Sequence, residues 1–271
     1  MKIIGIIPVR MKSSRLPGKA MKKINNMPMI GHVYYRSKLS KILNEVYVAT
    51  CDNKIKKYIK SINGKVIMTS KKHKRAVDRT EEAFKKIKKN EKKIDLVVMI
   101  QGDEPLLEPK MINEVVNVFK KKRGVNISNL FTELKNPKEI EDKNRVKVVL
   151  DSDNTAIYFS REKIASKSIG NKKRYFKQGN IFCFNKKALS YFVKLKPTNL
   201  EILESVDMNR LIENRYKIQM VKTNFPESSF IASYTVGILQ IRLNWRLTWD
   251  SASASPTYCV WRVNKTRFLL N

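Results

Sequence analysis

Residues Ile3 to Lys19, IIGIIPVRMKSSRLPGK, constrain the fold more than any other stretch. The apolar run from Ile3 to Ile7 is broken by Pro8 and reads as a buried strand. The loop behind it carries Arg10, Lys12, Arg15 and Lys19, with Pro17 and Gly18 at its end. A buried strand that delivers a cationic, glycine-containing loop to the edge of a sheet suits the holding of a triphosphate. Neither the Walker pattern G-x-x-x-x-G-K-[ST] nor the dinucleotide pattern G-x-G-x-x-G is present. Side-chain cations stand here where those loops use mostly backbone N–H groups.

The first half of the chain alternates between strand and helix. Strands are predicted at Lys2–Ile7, Glu45–Ala49, Lys65–Met68 and Asp95–Ile100, and helices at Met29–Leu39, Lys54–Ile62, Arg79–Asn90 and Pro109–Lys122. Such alternation with short links predicts an α/β fold, a mostly parallel sheet with helices on both faces. Ligands of such sheets sit beyond the carboxyl ends of the strands. Arg10, Asp52 and Asp103 all fall just after such ends. Ile127–Phe131 and Val146–Leu150 read as further strands, and Ile157–Ser160 with Asn180–Phe184 as an excursion over the site. Leu200–Asn214 reads as one amphipathic helix, with Leu200, Leu203, Val206, Leu211 and Ile212 on one side.

The 271 residues suit one α/β domain, and an apolar content of 42% can supply its core. The formal charge of +32 raises a nucleic-acid reading. Its excess is lysine scattered over helical faces, as at Lys85, Lys86, Lys88 and Lys89, which is the pattern of a solvated surface. No aromatic–basic interleaving of a base-reading module accompanies it, so nucleic acid is not the expected partner. The scattered charge can still help collect anionic substrates, with strong salt dependence. Cys51, Cys183 and Cys259 are far apart and odd in number, which predicts reduced thiols in a cytoplasmic protein. No run reaches the roughly 18 apolar residues of a membrane span, so no insertion is expected. Composition changes after Lys222: no lysine occurs from Thr223 to Asn264, and Trp245, Trp249 and Trp261 all lie beyond it. The expected division is a domain over 1–224 and an atypical tail over 225–271, the tail from another reading frame or a recombined end.

Gln101-Gly-Asp-Glu-Pro105 follows the predicted strand Asp95–Ile100. An Asp at a strand end beside a ligand-admitting Gly is a natural Mg²⁺ position, since that ion takes one or two carboxylates plus substrate phosphates. The pattern P-x-R-x-x-S-x-R-L-P-G-K together with Q-G-D-E-P resembles the sugar nucleotidyltransferases. The likeness is greatest to the cytidylyltransferases that activate sugar acids, the group of the CMP-Kdo synthetases, and covers about residues 1–224.

That resemblance implies a three-layer, Rossmann-like nucleotide-diphospho-sugar transferase fold. It also implies a reaction in which CTP and a 2-keto-3-deoxy sugar acid give the CMP-sugar and pyrophosphate, for surface polysaccharide synthesis. By the same resemblance Arg10, Arg15 and Lys19 contact the triphosphate, and Lys19 stabilises charge on the departing pyrophosphate. Asp103 holds Mg²⁺, and Arg10, Lys19 and Asp103 form the catalytic set. His73, Asp78 and Arg79 match the family's H-x-S-G-T-D/E-R, while Arg75, Ala76 and Val77 replace Ser-Gly-Thr. Arg79 is expected at the nucleotide, Gln101 at the cytosine edge, and His73 either there or as a loop cap. Asn144–Val149 and Ala156–Arg161 resemble N-x-V-K-V-V and A-L-Y-F-S-R, which makes Arg161 the expected clamp on the sugar carboxylate. Gln178, Glu201 and Glu204 are the other expected sugar contacts. Here Gln178 stands for a family histidine, Asn180 for a glycine and Met208 for a glutamine, and this points to a different sugar acid. The family's V-D-T, whose Asp is a second metal carboxylate, is absent after Lys222. A homodimer joined through 180–214 is also implied. The alternatives left open are a catalytically defective nucleotide binder and a basic protein that binds RNA or another polyanion.

Overall fold

The computed structural model describes residues 1–13, 16–91, 93–164 and 174–225. Strand β1 (Ile3–Pro8) is fully buried and leads through a loop and a single 3₁₀ turn, Lys19–Met21, to a small hairpin of β2 (Lys23–Ile24) and β3 (Met27–Pro28). Asn25 and Asn26 take positive φ values of 46° and 65° at its turn, a conformation asparagine tolerates. There follow α1 (Met29–Lys38), β4 (Glu45–Thr50), α2 (Asn53–Ser61), β5 (Lys65–Met68), α3 (Ala76–Asn90), β6 (Leu96–Ile100) and α4 (Pro109–Lys121). The second half holds β7 (Ile127–Leu134), α5 (Pro137–Glu141), β8 (Lys147–Leu150), β9 (Ala156–Ser160), β10 (Tyr175–Asn185), α6 (Lys186–Lys194), α7 (Asn199–Glu204), α8 (Met208–Glu213) and β11 (Gln219–Lys222).

The main sheet runs β11-β7-β10-β6-β1-β4-β5, with β8 and β9 attached beside β10. Along this path β10 alone is reversed, pairing antiparallel with both β6 and β7, while the neighbours β6-β1-β4-β5 and β7-β11 are parallel. The expected mostly parallel α/β sheet is therefore present.

Period-two alternation sorts the core into two layers. Ile3 and Ile7 of β1, with Leu96, Val98 and Ile100 of β6, pack toward α1, α2 and α4 through Ile30, Val33, Ile55, Ile59, Ile112 and Val115. Ile4, Ile6, Val97 and Met99 face the other way, onto Phe84 and Ile87 of α3, Phe192 of α6 and Leu211 of α8. Strands buried on both faces need continuous apolar runs, and β1 and β6 supply them.

Two expectations are corrected. Leu200–Asn214 is two short helices, because Ser205 adopts the left-handed conformation (φ 51°) and ends α7. Leu203, expected on the apolar side, is 79% exposed. Asn180–Phe184 is not an excursion: it is part of β10, inside the sheet between β6 and β7. Cys51 and Cys183 are free thiols, the latter buried, while Cys259 and the tail lie outside the described residues. Among the described residues no helix is long and apolar enough to cross a membrane.

Candidate active site

A cleft of about 290 Å³ opens at the carboxyl ends of β1 and β6, with the loop before α3 as its third wall. Its first wall is the cationic loop. Val9 N–H donates to the Ala49 carbonyl at 2.9 Å, and Met11 N–H to Asp52 Oδ2 at 2.8 Å. Asp52, at the end of β4, thus anchors the loop start. Gly18 N–H donates to Met11 O at 3.0 Å and closes the loop; Gly18 has φ of 72°, which an L-residue adopts only under strain. Arg10, Lys12 and Lys19 line the cleft. Arg15 lies outside the described residues.

The second wall is Gln101-Gly102-Asp103, all three of which line the cleft. A Cβ on Gly102 would stand 3.1 Å from the Pro8 carbonyl oxygen and 3.0 Å from Val9 Cβ. Glycine therefore lets this loop lie directly on the end of β1. The two loops meet in an ion pair, Lys19 Nζ to Asp103 Oδ2 at 2.9 Å. Glu104 is buried at 1% exposure and accepts from Asn180 Nδ2 at 3.2 Å, so it braces the loop against β10.

The third wall runs from Ser70 to Arg79. Arg10 Nη1 donates to the His73 carbonyl at 3.2 Å, linking it to the first wall. The His73 ring and the Ser70 N–H (2.8 Å) both engage Glu82. His73 thus acts as a loop brace while lining the cleft. Arg79 is 3% exposed and donates to Thr69 Oγ1 and Ser70 O. Its Nη2 is buried without a hydrogen-bond partner among the described residues, and the residue borders the cleft. Ala76 lines the cleft and Val77 is fully buried in the core.

Glu82 shows how pH bears on this wall. Burial works against its charge, but hydrogen bonds from Lys86, Ser70 N–H and His73 prevail and lower its pKa to about 2. A depressed carboxylate stabilises the fold above its unfolded pKa and loses that contribution as pH falls through the folded value. We expect the stability due to this brace to be complete above about pH 4.5 and to fade toward pH 2. In acid titrations of thermal stability, Glu82→Gln should lower the neutral plateau and flatten that slope; an unchanged slope would remove the brace.

The expected sugar contacts are not gathered at the cleft. Arg161 directs its guanidinium to three carbonyls, of Glu204 (2.8 Å), Lys143 (3.1 Å) and Ser205 (3.3 Å). Glu204 accepts from Tyr158 Oη (2.7 Å), Ser160 Oγ (2.8 Å) and Arg161 N–H (2.7 Å). Glu201 is 1% exposed and forms a bidentate pair with Arg210, both contacts at 2.6 Å. Gln178 is half-buried, and its Nε2 has no partner among the described residues. It sits beside a bulge in β10 that Asn129 staples by donating to Gly179 O (2.9 Å) and Ile181 O (2.8 Å). Bulges of this kind re-aim side chains near active sites.

Motif matching missed the contribution of Lys12, Lys74 and Arg75 to the cleft wall. Their one signal in the sequence is proximity to matched positions. Among the described residues no cluster of three or more His, Cys, Asp or Glu could hold a metal, and Asp103 is the one carboxylate lining the cleft. That set suits an ion that completes its shell with phosphate oxygens and water, as Mg²⁺ does.

A family profile described as cytidylyltransferase matches residues 4–218. An 8-amino-3,8-dideoxy-manno-octulosonate cytidylyltransferase of Shewanella frigidimarina is 37% identical over 226 residues, 83% of this chain and 91% of that protein. A 3-deoxy-manno-octulosonate cytidylyltransferase of Fusobacterium nucleatum is 39% identical over 223 residues, covering 82% and 89%. A solved CMP:2-keto-3-deoxy-manno-octonic acid synthetase complexed with CTP superposes with a TM-score of 0.77 at 30% identity, over 82% of this chain and 90% of that one. The likeness extends through both loops that build the cleft, and the chain belongs to the cytidylyltransferases, a family of nucleotidyltransferases.

Proposed function

We propose that this chain transfers CMP from CTP to the anomeric hydroxyl of a 2-keto-3-deoxy sugar acid. The hydroxyl oxygen attacks the α-phosphorus in line, the bond to the bridging oxygen breaks, pyrophosphate leaves, and the hydroxyl proton passes to solvent. Such transfers depend on positioning and charge neutralisation. The observation that carries the reading is the convergence of Arg10, Lys19, Arg79, Gln101 and Asp103 on one cleft.

Arg10 and Lys19 bind the phosphates, and Lys19 neutralises charge on the leaving pyrophosphate. Arg79 offers its unpartnered Nη2 to the nucleotide. Gln101 presents an amide, donor and acceptor together, to the cytosine edge. Asp103 holds a divalent ion, Mg²⁺, that would offset phosphate charge. Gln178 contributes a buried, unpartnered amide nitrogen on the sugar side. The enzyme is cytoplasmic in this reading and supplies surface polysaccharide synthesis. It forms a homodimer through the 180–214 region, a reading supported by Ile202 and Leu203 of α7, which are 64% and 79% exposed. Sedimentation would test this, a monomer counting against it.

Calorimetric titration with the four nucleoside triphosphates, with and without Mg²⁺, tests the function. Selective, Mg²⁺-dependent binding of CTP is expected, followed by pyrophosphate release on adding a sugar acid. Binding without release from any ulosonate would mark a nucleotide binder that does not turn over, in keeping with the single carboxylate that lines the cleft among the described residues. Equal binding of all four would count against the reading.

A further inference from the structure

Arg75 stands at the N-cap of α3, where the resembling motif carries a small hydroxyl residue, and it lines the cleft. Its side chain is 35% exposed. Its contact with a carboxylate is long: Nη2 lies 3.5 Å from Glu201 Oε1. Glu201 does not need it, because Arg210 already holds both carboxylate oxygens at 2.6 Å. Among the described residues no hydrogen bond from the Arg75 guanidinium is seen, so its donors remain available to the cleft. The acids behind it, buried Glu201 and half-buried Asp207, attract the guanidinium by charge.

Two neighbours point the same way. Arg79, one turn further along α3, keeps Nη2 buried at the same cleft, without a partner among the described residues. The Arg75 side chain does not cap this 15-residue helix, whose N-terminus borders the cleft at Arg75 and Ala76.

We propose that Arg75 is a ligand-binding residue of this cleft, whose guanidinium fork takes an oxyanion of a substrate, a phosphate of the nucleotide or the carboxylate of the sugar acid. The inference rests on the cytidylyltransferase reading above. Arg75 replaces, with a charged fork, recognition that the resembling motif assigns to hydroxyls and a glycine. A planar fork suits both oxyanions, and a lysine does not reproduce it.

The test uses the full chain with Arg75→Ala and Arg75→Lys. Affinity for CTP is read by calorimetry, KM for CTP and for 3-deoxy-manno-octulosonate by pyrophosphate release, and thermal midpoint by scanning. Arg75→Ala should weaken one ligand by about tenfold or more, the scale of a lost charged hydrogen bond, with a small change in midpoint. Arg75→Lys should recover only part of that loss. Weakened CTP binding assigns the fork to phosphate; a raised KM for the sugar acid with unchanged CTP binding assigns it to the carboxylate. Both ligands unchanged would overturn the proposal, and a lowered midpoint with unchanged ligands would reduce Arg75 to a counter-ion of Glu201 and Asp207. If the wild-type chain turns over no ulosonate, the catalytic reading fails separately. Titration with CTP and with 3-deoxy-manno-octulosonate then tests Arg75 by binding alone, and equal affinity for both ligands in wild type and Arg75→Ala overturns it.

Discussion

Asp103→Asn should lower turnover by roughly 100- to 1,000-fold or more while leaving the fold intact, the scale of deleting one preorganised electrostatic stabiliser. Among the described residues Asp103 is the one carboxylate lining the cleft, so none of them stands ready to replace it. Its side chain is 43% exposed and pairs with Lys19 at 2.9 Å. A partly exposed pair of this kind adds little to folding, and the amide is nearly isosteric, so the thermal midpoint should scarcely move. Loss of Mg²⁺-dependent CTP binding in the variant would place the ion there. Full activity in Asp103→Asn would remove the residue from the mechanism.

Glu201→Ala should be the most destabilising single change near the site. Glu201 and Arg210 are both buried, and their fork-to-fork contact satisfies charge and hydrogen bonding together. Removing the acid leaves a buried guanidinium without its counter-charge, at a cost of about 3–5 kcal/mol. For a chain of this size that lowers the thermal midpoint on the order of 10 °C. The guanidinium also packs against the Phe192 ring, 5.3 Å from its centroid, so the damage should spread to α6. Replacing both partners, as in Glu201→Leu with Arg210→Met, should recover much of the loss, because a buried pair is often worth little more than a well-packed apolar one. An unchanged midpoint in Glu201→Ala, with weakened binding of the sugar acid, would instead support the sugar contact that the resemblance implies.

These two residues mark where sequence motifs serve and where they stop. Asp103 could be placed by its motif, since Q-G-D-E-P follows a run that only a buried strand satisfies, and the end of β6 adjoins the end of β1 in a parallel sheet. Glu201 could be matched to a motif, but nothing local distinguishes an acid facing a sugar from one facing Arg210. The same ambiguity surrounds Arg161, whose guanidinium meets the carbonyls of Lys143, Glu204 and Ser205. A charged residue's work is set by its partner, which lies nine positions away for Glu201 and 18 to 44 for Arg161.

Strands β1, β4, β5 and β6 and helices α1 to α4 were legible within a few residues, because apolar runs and helical periodicity are local properties of the chain. The break between α7 and α8 was not, since it depends on Ser205 adopting a left-handed conformation that serine disfavours in isolation. Nor was the place of β10. Its apolar run is compatible with a strand anywhere, and only pairing with both β6 and β7 puts it inside the sheet. By itself, then, the order of residues determined the α/β class, the parallel core and the two loops that carry Arg10, Lys19 and Asp103. The tertiary structure alone decided which charges face the cleft and which face one another, because hydrogen bonding and burial of a charge depend on neighbours brought from elsewhere in the chain.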